Sequence, residues 1–340
     1  MSATQLIDIN RELFHGAISL EQGDGWVKPW RIPFERRELF SPKPESGLDL
    51  RAEMPTGVRI RFETDSRITG LVVVPDDEAD RTFDLVYDNE LLQTVQLPSG
   101  QDEVSFDPLP ASVPEGKHVL EIWLAADFPV AVRQLRIEKQ ATITADPDGR
   151  KKWITYGSSI THCRSAHSPA QTWPAYVARK RNLNFTGLGY GGQCHLDGMI
   201  ARMIRDLPAD VITLKLGINM HGGSVSLRTF KPMIISFIEI VREKHPDIPM
   251  GVISPILSPP RETTEGSTGY TLEKMREALA YCVDLLRNAG DANLHYFDGL
   301  SVFGHDHVQY LPDELHPDGD GYLKLGENID RIVMTQLLGE

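Results

Sequence analysis

The chain has 340 residues and a formal net charge of −13 at pH 7. This acidic balance argues against nucleic acid or an anionic membrane as a partner, because both are bound by clustered Lys and Arg. The length favours two domains, and a composition of 41% hydrophobic and 24% charged residues is typical of a globular protein.

The first 145 residues or so consist of short runs in which apolar and polar residues alternate. Val58, Ile60 and Phe62 alternate with charged residues, which is typical of a half-buried strand. Turn sequences such as Pro98-Ser99-Gly100 separate the runs. Further strands are predicted at 71–74, 83–87, 91–97, 104–106, 119–124 and 132–137. This pattern predicts an antiparallel, jelly-roll-like β-sandwich.

The rhythm of the sequence changes at Asp146-Pro147-Asp148-Gly149, so we predict an accessory domain over 1–147 and a second domain over 148–340. Strands and helices then alternate, which predicts a parallel sheet covered on both faces. The strands are predicted at 153–157, 184–189, 211–216, 250–256 and 294–297, and the helices at 169–181, 196–207, 230–241, 272–286 and 321–338. In such a sheet, ligands bind beyond the C-terminal ends of the strands.

Residues with catalytic potential follow several of these strands. Gly157-Ser158-Ser159-Ile160-Thr161 places a hydroxyl at the end of the first strand, and the turn Gly189–Gln193 follows the second. Asn219 follows the third strand, where its amide could stabilise a developing oxyanion. Near the C-terminus, the spacing of Asp313 and His316 lets the carboxylate hold one ring nitrogen while the other accepts a serine proton. Each feature alone is also common in loops and turns.

The order of these blocks resembles that of the SGNH hydrolases, the GDSL esterase and lipase superfamily, over residues 150–340. The resemblance implies a flavodoxin-like, three-layer α/β domain whose first and third strands are adjacent. It implies that Ser159 is the nucleophile, His316 the general base and Asp313 the group that orients His316. The oxyanion hole would consist of the N–H groups of Ser159 and Gly192 and the side chain of Asn219.

The chain departs from the usual family pattern at two positions. Ser158 replaces the usual Asp, so two serines compete for the nucleophile's role; we choose Ser159 because it precedes Ile160 and Thr161. Met220 replaces the Asp that often follows the oxyanion Asn. A sandwich before such a domain, together with the segment at 30–37, resembles the two-domain SsfX3-like esterases and acyltransferases.

We therefore expect a serine esterase that acts on carboxylic esters of small or glycosylated molecules through an acyl-enzyme, without a metal or an organic cofactor. Its partner would be a small-molecule ester, such as that of a glycan or natural product, and neither nucleic acid nor a membrane; the oligomeric state stays open. The alternatives are an acyltransferase with a hydroxylated acceptor and a non-catalytic carbohydrate-binding protein. His305-Asp306-His307 lacks an evident third metal ligand, so we interpret it as a polar loop bordering the site.

The cysteines and the N-terminus bear on the compartment. Cys163, Cys194 and Cys282 are too few for a disulfide framework. The N-terminal residues lack the basic and apolar segments of a signal peptide, and no stretch reaches the roughly 20 apolar residues of a membrane span. These features predict a reduced, cytoplasmic setting.

Overall fold

The computed structural model describes residues 3–42 and 47–339, and the contacts within it divide the chain into two compact units. Unit 1 comprises Met1–Arg37, Ala52–Arg150 and Ser168–Ala170, and unit 2 comprises Glu38–Arg51, Lys151–His167 and Gln171–Glu340. The segment Glu38–Arg51, which lies far upstream in the sequence, thus groups with the C-terminal unit. The predicted domain limits of 1–147 and 148–340 stay a prediction.

Unit 1 is a pair of antiparallel sheets. Its strands are β1 (Thr4–Asp8), β2 (Phe14–His15), β3 (Ser19–Gly23), β4 (Trp26–Trp30), β5 (Arg59–Thr64), β6 (Thr69–Val73), β7 (Arg81–Tyr87), β8 (Glu90–Leu97), β9 (Glu103–Ser105), β10 (His118–Trp123), β11 (Val132–Glu138) and β12 (Ile143–Ala145). One sheet has the order β3-β4-β11-β6-β9, with β1 also on β11, and the other has the order β12-β5-β10-β7-β8, with β2 also on β5. Apolar side chains from both sheets form one buried cluster, so the predicted sandwich is confirmed.

A buried ion network fixes the C-terminal end of unit 1. Arg150 Nη2 donates to Glu121 Oε1 at 2.5 Å and to Asp148 Oδ2 at 2.6 Å, and Arg59 Nη2 lies 3.5 Å from Asp148 Oδ2. Burial raises the pKa of Asp148, but its hydrogen bond and ion pair with Arg150 and the nearby Arg59 outweigh this and lower the pKa to about 2. The turn that marks the boundary in the sequence is therefore held in place by buried ion pairs within unit 1.

Unit 2 is an α/β domain built on a parallel sheet. The chain forms α1 (Arg37–Phe40) and α2 (Leu48–Ala52) between β4 and β5, followed downstream by β13 (Lys152–Gly157), α3 (Ser159–His162), α4 (Trp173–Lys180), β14 (Asn184–Gly189), α5 (Gly198–Asp206), β15 (Val211–Lys215), α6 (Ile218–His221), α7 (Phe230–Arg242), β16 (Met250–Ile253), α8 (Leu272–Asn288), β17 (Leu294–Phe297), α9 (Gly299–Val302), α10 (Gly319–Ile329) and α11 (Thr335–Leu338). The strand order is β14-β13-β15-β16-β17. The predicted adjacency of the first and third strands of this domain is confirmed, as is the α/β fold class.

The helices of unit 2 form two groups, since α4 packs against α10 while α7 packs against both α5 and α8. Helix α8 begins where the sequence predicts, because Thr271 Oγ1 accepts a hydrogen bond from the N–H of Lys274 at 3.1 Å. The last predicted helix is interrupted by a π-helical turn at Asp330–Met334. Sequence periodicity did not predict α1 and α2, since they are only four and five residues long.

Two glycines allow α3 to lie directly against the ends of β13 and β14. A Cβ atom at Gly157 would lie 2.2 Å from Thr161 Oγ1, and one at Gly189 would lie 2.3 Å from the backbone N of His162. Any larger residue would push α3 away from the sheet, so these glycines bring the serine at the start of α3 to the edge where β13, β14 and β15 end. Among residues 3–42 and 47–339, no helix combines the length and apolar character that crossing a bilayer requires.

Candidate active site

The two adjacent serines after β13 have different surroundings. The Oγ of Ser158 is buried and accepts a hydrogen bond from the N–H of Ile160 at 3.3 Å, so Ser158 is the N-cap of α3. The Oγ of Ser159 lies 2.8 Å from Nε2 of His316, and Ser159 lines an open cleft. Of the two candidate nucleophiles, only Ser159 is shown in contact with the imidazole.

The loop before α10 holds His316 through a single carboxylate. Nδ1 of His316 lies 2.7 Å from Oδ2 of Asp313, while Oδ1 of Asp313 accepts from the backbone N–H groups of His316 at 2.6 Å and Leu315 at 3.0 Å. Glu314, between them, adopts a left-handed φ of 59°, which makes the turn tight enough for Asp313 to reach the ring. Asp313 thus both shapes the loop and contacts the imidazole.

The charge state of Asp313 fixes the proton on the ring. Partial burial raises the pKa of the Asp313 carboxyl, but the hydrogen bonds from the side chain and backbone of His316 and from the backbone of Leu315 outweigh this and keep the pKa below its ordinary value. An ionised carboxylate can only accept, so Nδ1 of the neutral imidazole must carry the proton. Nε2 of His316 is then the acceptor for the hydroxyl proton of Ser159.

The glycine-rich turn after β14 is held from both sides by histidines. The N–H of Gly191 donates to Nδ1 of His162 at 3.3 Å, and Nε2 of His195 lies 2.9 Å from the carbonyl oxygen of Gly192. Gly192 has a φ of +74°, a conformation that favours glycine. These contacts hold the peptides on either side of the one that carries the N–H of Gly192. Residue identity alone did not indicate that His162 and His195 act in this way.

Asn219 is oriented by the same turn. Its Oδ1 accepts a hydrogen bond from the backbone N–H of Cys194 at 3.0 Å, which leaves the amide Nδ2 as its donor. Met220, which stands where the family often has Asp, is fully buried. The backbone of the neighbouring turn thus supports Asn219 although residue 220 cannot do so.

The cleft onto which Ser159 opens has a volume of about 580 Å³, a size typical of small-molecule sites. Its walls all belong to unit 2 and are Arg51, Ser159, Arg164, Ser165, Gly191, Gly192, Ile218, Asn219, His221, Gly222, Arg261, Leu315, His316 and Tyr322. Four residues named from the sequence, Ser159, Gly192, Asn219 and His316, are brought together here, and Asp313 contacts His316. The three arginines were not predicted, because none lies in a catalytic block.

The histidine pair after β17 does not line the cleft. His307 stacks on Phe303, with 4.8 Å between ring centroids, and its Nδ1 accepts from the N–H of Gly304 at 3.3 Å. In the described part of the chain, no three His, Cys, Asp or Glu side chains are grouped so that they could hold a metal ion. His305 and His307 therefore belong to the short 3₁₀ turn His305–Tyr310, and that this loop borders the site stays a prediction.

A buried ammonium lies at the end of β15. Lys215 is 2% exposed, and burial lowers its pKa to about 8. The neighbouring Cys194 and Cys163 are buried free thiols, and burial raises the pKa of the Cys194 thiol to about 12. Neither thiol is therefore ionised at neutral pH, and the charge of Lys215 lacks a compensating thiolate.

We expect Lys215→Met to change how the free energy of unfolding depends on pH. Between pH 7 and pH 9.5 the folded protein releases the Lys215 proton, whereas the unfolded chain, with the ordinary pKa of 10.5, retains it. At the higher pH the unfolded state therefore binds more protons than the folded state. The free energy of unfolding of the native protein then increases with pH, and Lys215 contributes about 2 kcal/mol to this increase between pH 7 and pH 9.5. The variant lacks this gain.

The measurement is chemical denaturation of both proteins at pH 7 and pH 9.5. The stability difference, native protein minus variant, should rise by about 2 kcal/mol. Titration of groups common to both proteins cancels in this difference. A difference that stays constant within about 0.5 kcal/mol would show that the ammonium is well solvated in the folded state.

Known protein families match both halves of the chain. A family profile described as "GDSL-like Lipase/Acylhydrolase family" matches residues 150–334, and one described as "SsfX3, N-terminal domain" matches residues 13–132. The chain is similar to the solved salicylyl-acyltransferase SsfX3 from a tetracycline biosynthetic pathway, with 32% identity over 98% of this chain and 97% of that one and a TM-score of 0.87. No curated protein matches the chain.

More distant structures share the fold alone. A putative GDSL-like lipase from Bacteroides ovatus has 19% identity over 99% of this chain and 98% of that one, with a TM-score of 0.77. A family two carbohydrate esterase from Cellvibrio japonicus has 14% identity over 100% and 99% of the two chains, with a TM-score of 0.66. The resemblance to the two-domain SsfX3-like enzymes, which the sequence predicts, is confirmed.

Proposed function

The chain belongs to the GDSL-like lipase and acylhydrolase family, and we propose that it is a serine esterase in which Ser159, His316 and Asp313 form the catalytic triad. The observation that carries the proposal is the unbroken series of contacts from Ser159 Oγ to His316 Nε2, at 2.8 Å, and from His316 Nδ1 to Asp313 Oδ2, at 2.7 Å. Both distances lie within the hydrogen-bond range that proton transfer requires.

The reaction follows from the positions of these protons. The Oγ of Ser159 attacks the ester carbonyl while its proton passes to Nε2 of His316, and the ionised Asp313 stabilises the resulting imidazolium. The carbonyl oxygen becomes an oxyanion, for which the N–H groups of Ser159 and Gly192 and the Nδ2 of Asn219 are the donors. When the intermediate collapses, His316 returns the proton to the departing alcohol.

Water then attacks the acyl group on Ser159, and the same proton transfers run in reverse. This step releases the carboxylic acid and restores the free serine. A cleft of about 580 Å³ suits the ester of a small molecule or of a short carbohydrate. We extend this to glycan or natural-product esters, because carbohydrate esterases share the fold and the relative SsfX3 comes from a tetracycline biosynthetic pathway.

An acyltransferase is the second candidate, and one specific observation favours it. SsfX3, which is 32% identical over nearly the whole of both chains, is a salicylyl-acyltransferase. The same residues would serve, with a hydroxyl acceptor in place of water. Product partition with and without a hydroxylated acceptor separates the two: an acyl-acceptor product that dominates over free acid indicates a transferase.

The proposal is tested with a fluorophosphonate probe, which forms a covalent bond with an activated serine. We expect the native protein to be labelled on the peptide that contains Ser159, with the site located by fragmentation mass spectrometry, and the unfolded protein to stay unlabelled. A native protein without label would favour the non-catalytic, carbohydrate-binding alternative. Label on Ser158 would overturn the assignment of the nucleophile.

A further inference from the structure

The cleft around Ser159 is cationic in an acidic protein. Arg51, Arg164 and Arg261 line it, whereas no Asp or Glu is among the described residues of its walls. The whole chain carries a net charge of −13, so a patch of this sign is the opposite of what the composition predicts. Cationic side chains around a cleft concentrate and orient anionic ligands.

Arg51 lies beside the turn that carries the N–H of Gly192, and Arg164 lines the same cleft. The Nε of Arg51 donates to the carbonyl oxygen of Gly191 at 3.3 Å, which fixes the guanidinium beside the glycine-rich turn. Arg51 and Arg164 line the same cleft; burial lowers the pKa of Arg51, and the positive charge of Arg164 lowers it further. An anion placed between them would relieve the repulsion between these two charges.

The third arginine is tied to the loop that carries His316. Nη1 of Arg261 donates to Oγ of Ser258 at 2.9 Å, and this buried hydroxyl donates to the carbonyl oxygen of Glu314 at 2.7 Å. Arg261 is therefore held at a fixed place relative to the catalytic loop. Such fixed guanidinium groups bind carboxylate and phosphate oxygens well, because their N–H donors match the geometry of these anions.

Among the described residues, no carboxylate pairs with Arg164 or Arg261. Glu262, which follows Arg261 in the chain, makes a two-point ion pair with Arg276, at 2.7 and 2.8 Å. Within residues 3–42 and 47–339, neither Arg164 nor Arg261 has a carboxylate oxygen within 4.0 Å in an ion pair. The charges of Arg164 and Arg261 therefore have no ion-pair partner in the described part of the chain and can act on a ligand.

We propose that the cleft selects esters that carry a carboxylate or phosphate group close to the scissile bond, and that Arg164 and Arg261 bind this group. The inference rests on the proposed function, because it names the substrate class of the same site. Ile218 and Leu315 supply apolar walls for the uncharged part of the ester. The preference weakens at high salt, since Arg164 is exposed and its charge is screened.

The test uses two pairs of esters that differ only in one charge. In 4-acetoxybenzoate and its methyl ester the charge lies on the leaving group; in mono-4-nitrophenyl adipate and its methyl ester it lies on the acyl group. For each pair, the ratio of kcat/KM for the anionic ester to that for the neutral ester is measured. Differences in intrinsic reactivity cancel, because every variant is compared with the native protein on the same pair.

The variants are Arg164→Gln and Arg261→Gln, singly and together, with Arg202→Gln as the matched control. Arg202 is an exposed arginine of α5 that does not line the cleft. We expect each cleft variant to lower the ratio by about tenfold on at least one pair, the loss typical of a hydrogen bond to a charged group, and the control to leave it unchanged. Arg→Lys at the same positions should restore part of the ratio. The pair that responds identifies which side of the ester carries the charge.

A ratio that stays within about twofold in the double variant on both pairs overturns the inference while leaving the esterase proposal intact. If the native protein hydrolyses none of the four esters and the fluorophosphonate does not react, the proposed function fails instead. Binding of 4-acetoxybenzoate and its methyl ester to Ser159→Ala, measured by calorimetry, still decides the inference in that case. Tighter binding of the anion that is lost on Arg164→Gln supports it, and equal binding of the two esters contradicts it.

Discussion

Ser159→Ala is expected to lower kcat/KM for a short-chain 4-nitrophenyl ester by about 10⁴- to 10⁶-fold, because Ser159 is the one serine among the described residues whose hydroxyl contacts the imidazole of His316. The Oγ of Ser159 is the group that lies 2.8 Å from Nε2 of His316, and the cleft opens onto it. The residual rate would come from the oxyanion donors and from binding alone. Activity is measured by release of 4-nitrophenol, and folding by thermal denaturation.

Ser158→Ala is the control that the chain itself provides, since the two serines are neighbours with different contacts. Ser158 caps α3 through the N–H of Ile160, at 3.3 Å. Its removal should lower the free energy of unfolding by about 1 kcal/mol, as is typical of a lost N-cap, and leave most of the activity. An inactive Ser158→Ala together with an active Ser159→Ala would contradict the assignment.

The fold was predictable from sequence because strands and helices repeat their burial patterns along the chain. The strand at Asn184–Gly189 and the strand at Leu294–Phe297 have the limits that the apolar runs predict. The N-cap of α8 was also predicted correctly, since Thr271 caps this helix. Elements of four or five residues, such as α1 and α2, were missed, because they are too short to show a helical period.

Ser159, Gly192 and Asn219 were visible in the sequence because they follow strand ends, and parallel strands end at the same edge of a sheet. Asp313 and His316 were visible from their spacing. What surrounds them was not visible. Arg51 lies 108 positions before Ser159 in a segment without any catalytic motif, yet it lines the same cleft. The support of Asn219 comes from the backbone N–H of Cys194, and a backbone donor leaves no trace in residue identity. Residue identities therefore indicated the reaction type, whereas the charge of the cleft required three-dimensional contacts.

Asp313→Asn is the second substitution with a large expected effect, about 10²- to 10⁴-fold on kcat/KM. The reason lies in the direction of one hydrogen bond. In the native protein, Oδ2 of Asp313 accepts from Nδ1 of His316, at 2.7 Å, so Nε2 is free to accept the proton of Ser159. An amide nitrogen in the place of Oδ2 would donate to Nδ1 instead, and the proton of the neutral ring would move to Nε2. The imidazole would then face Ser159 as a donor and could not act as its base.

Asp313→Asn separates the effect on the ring proton of His316 from the second role of Asp313, which is to hold the backbone of the loop. Oδ1 of Asp313 accepts from the backbone N–H groups of Leu315 and His316, and the Asn amide oxygen can still accept both. The loop should therefore keep its shape, and the melting temperature should change little, whereas Asp313→Ala would lose both functions at once.

Asp320→Asn is the matched control, because Asp320 forms a second Asp–His pair. Its Oδ1 lies 2.8 Å from Nε2 of His167. The pair is exposed, and neither residue lines the cleft. We expect this control to change kcat/KM by less than about twofold, as is usual for an exposed pair that makes no contact with the reacting groups. If Asp313→Asn also retained activity within about tenfold, another group would have to orient His316. The short Asp-x-x-His spacing would then be a turn motif rather than part of the catalytic machinery.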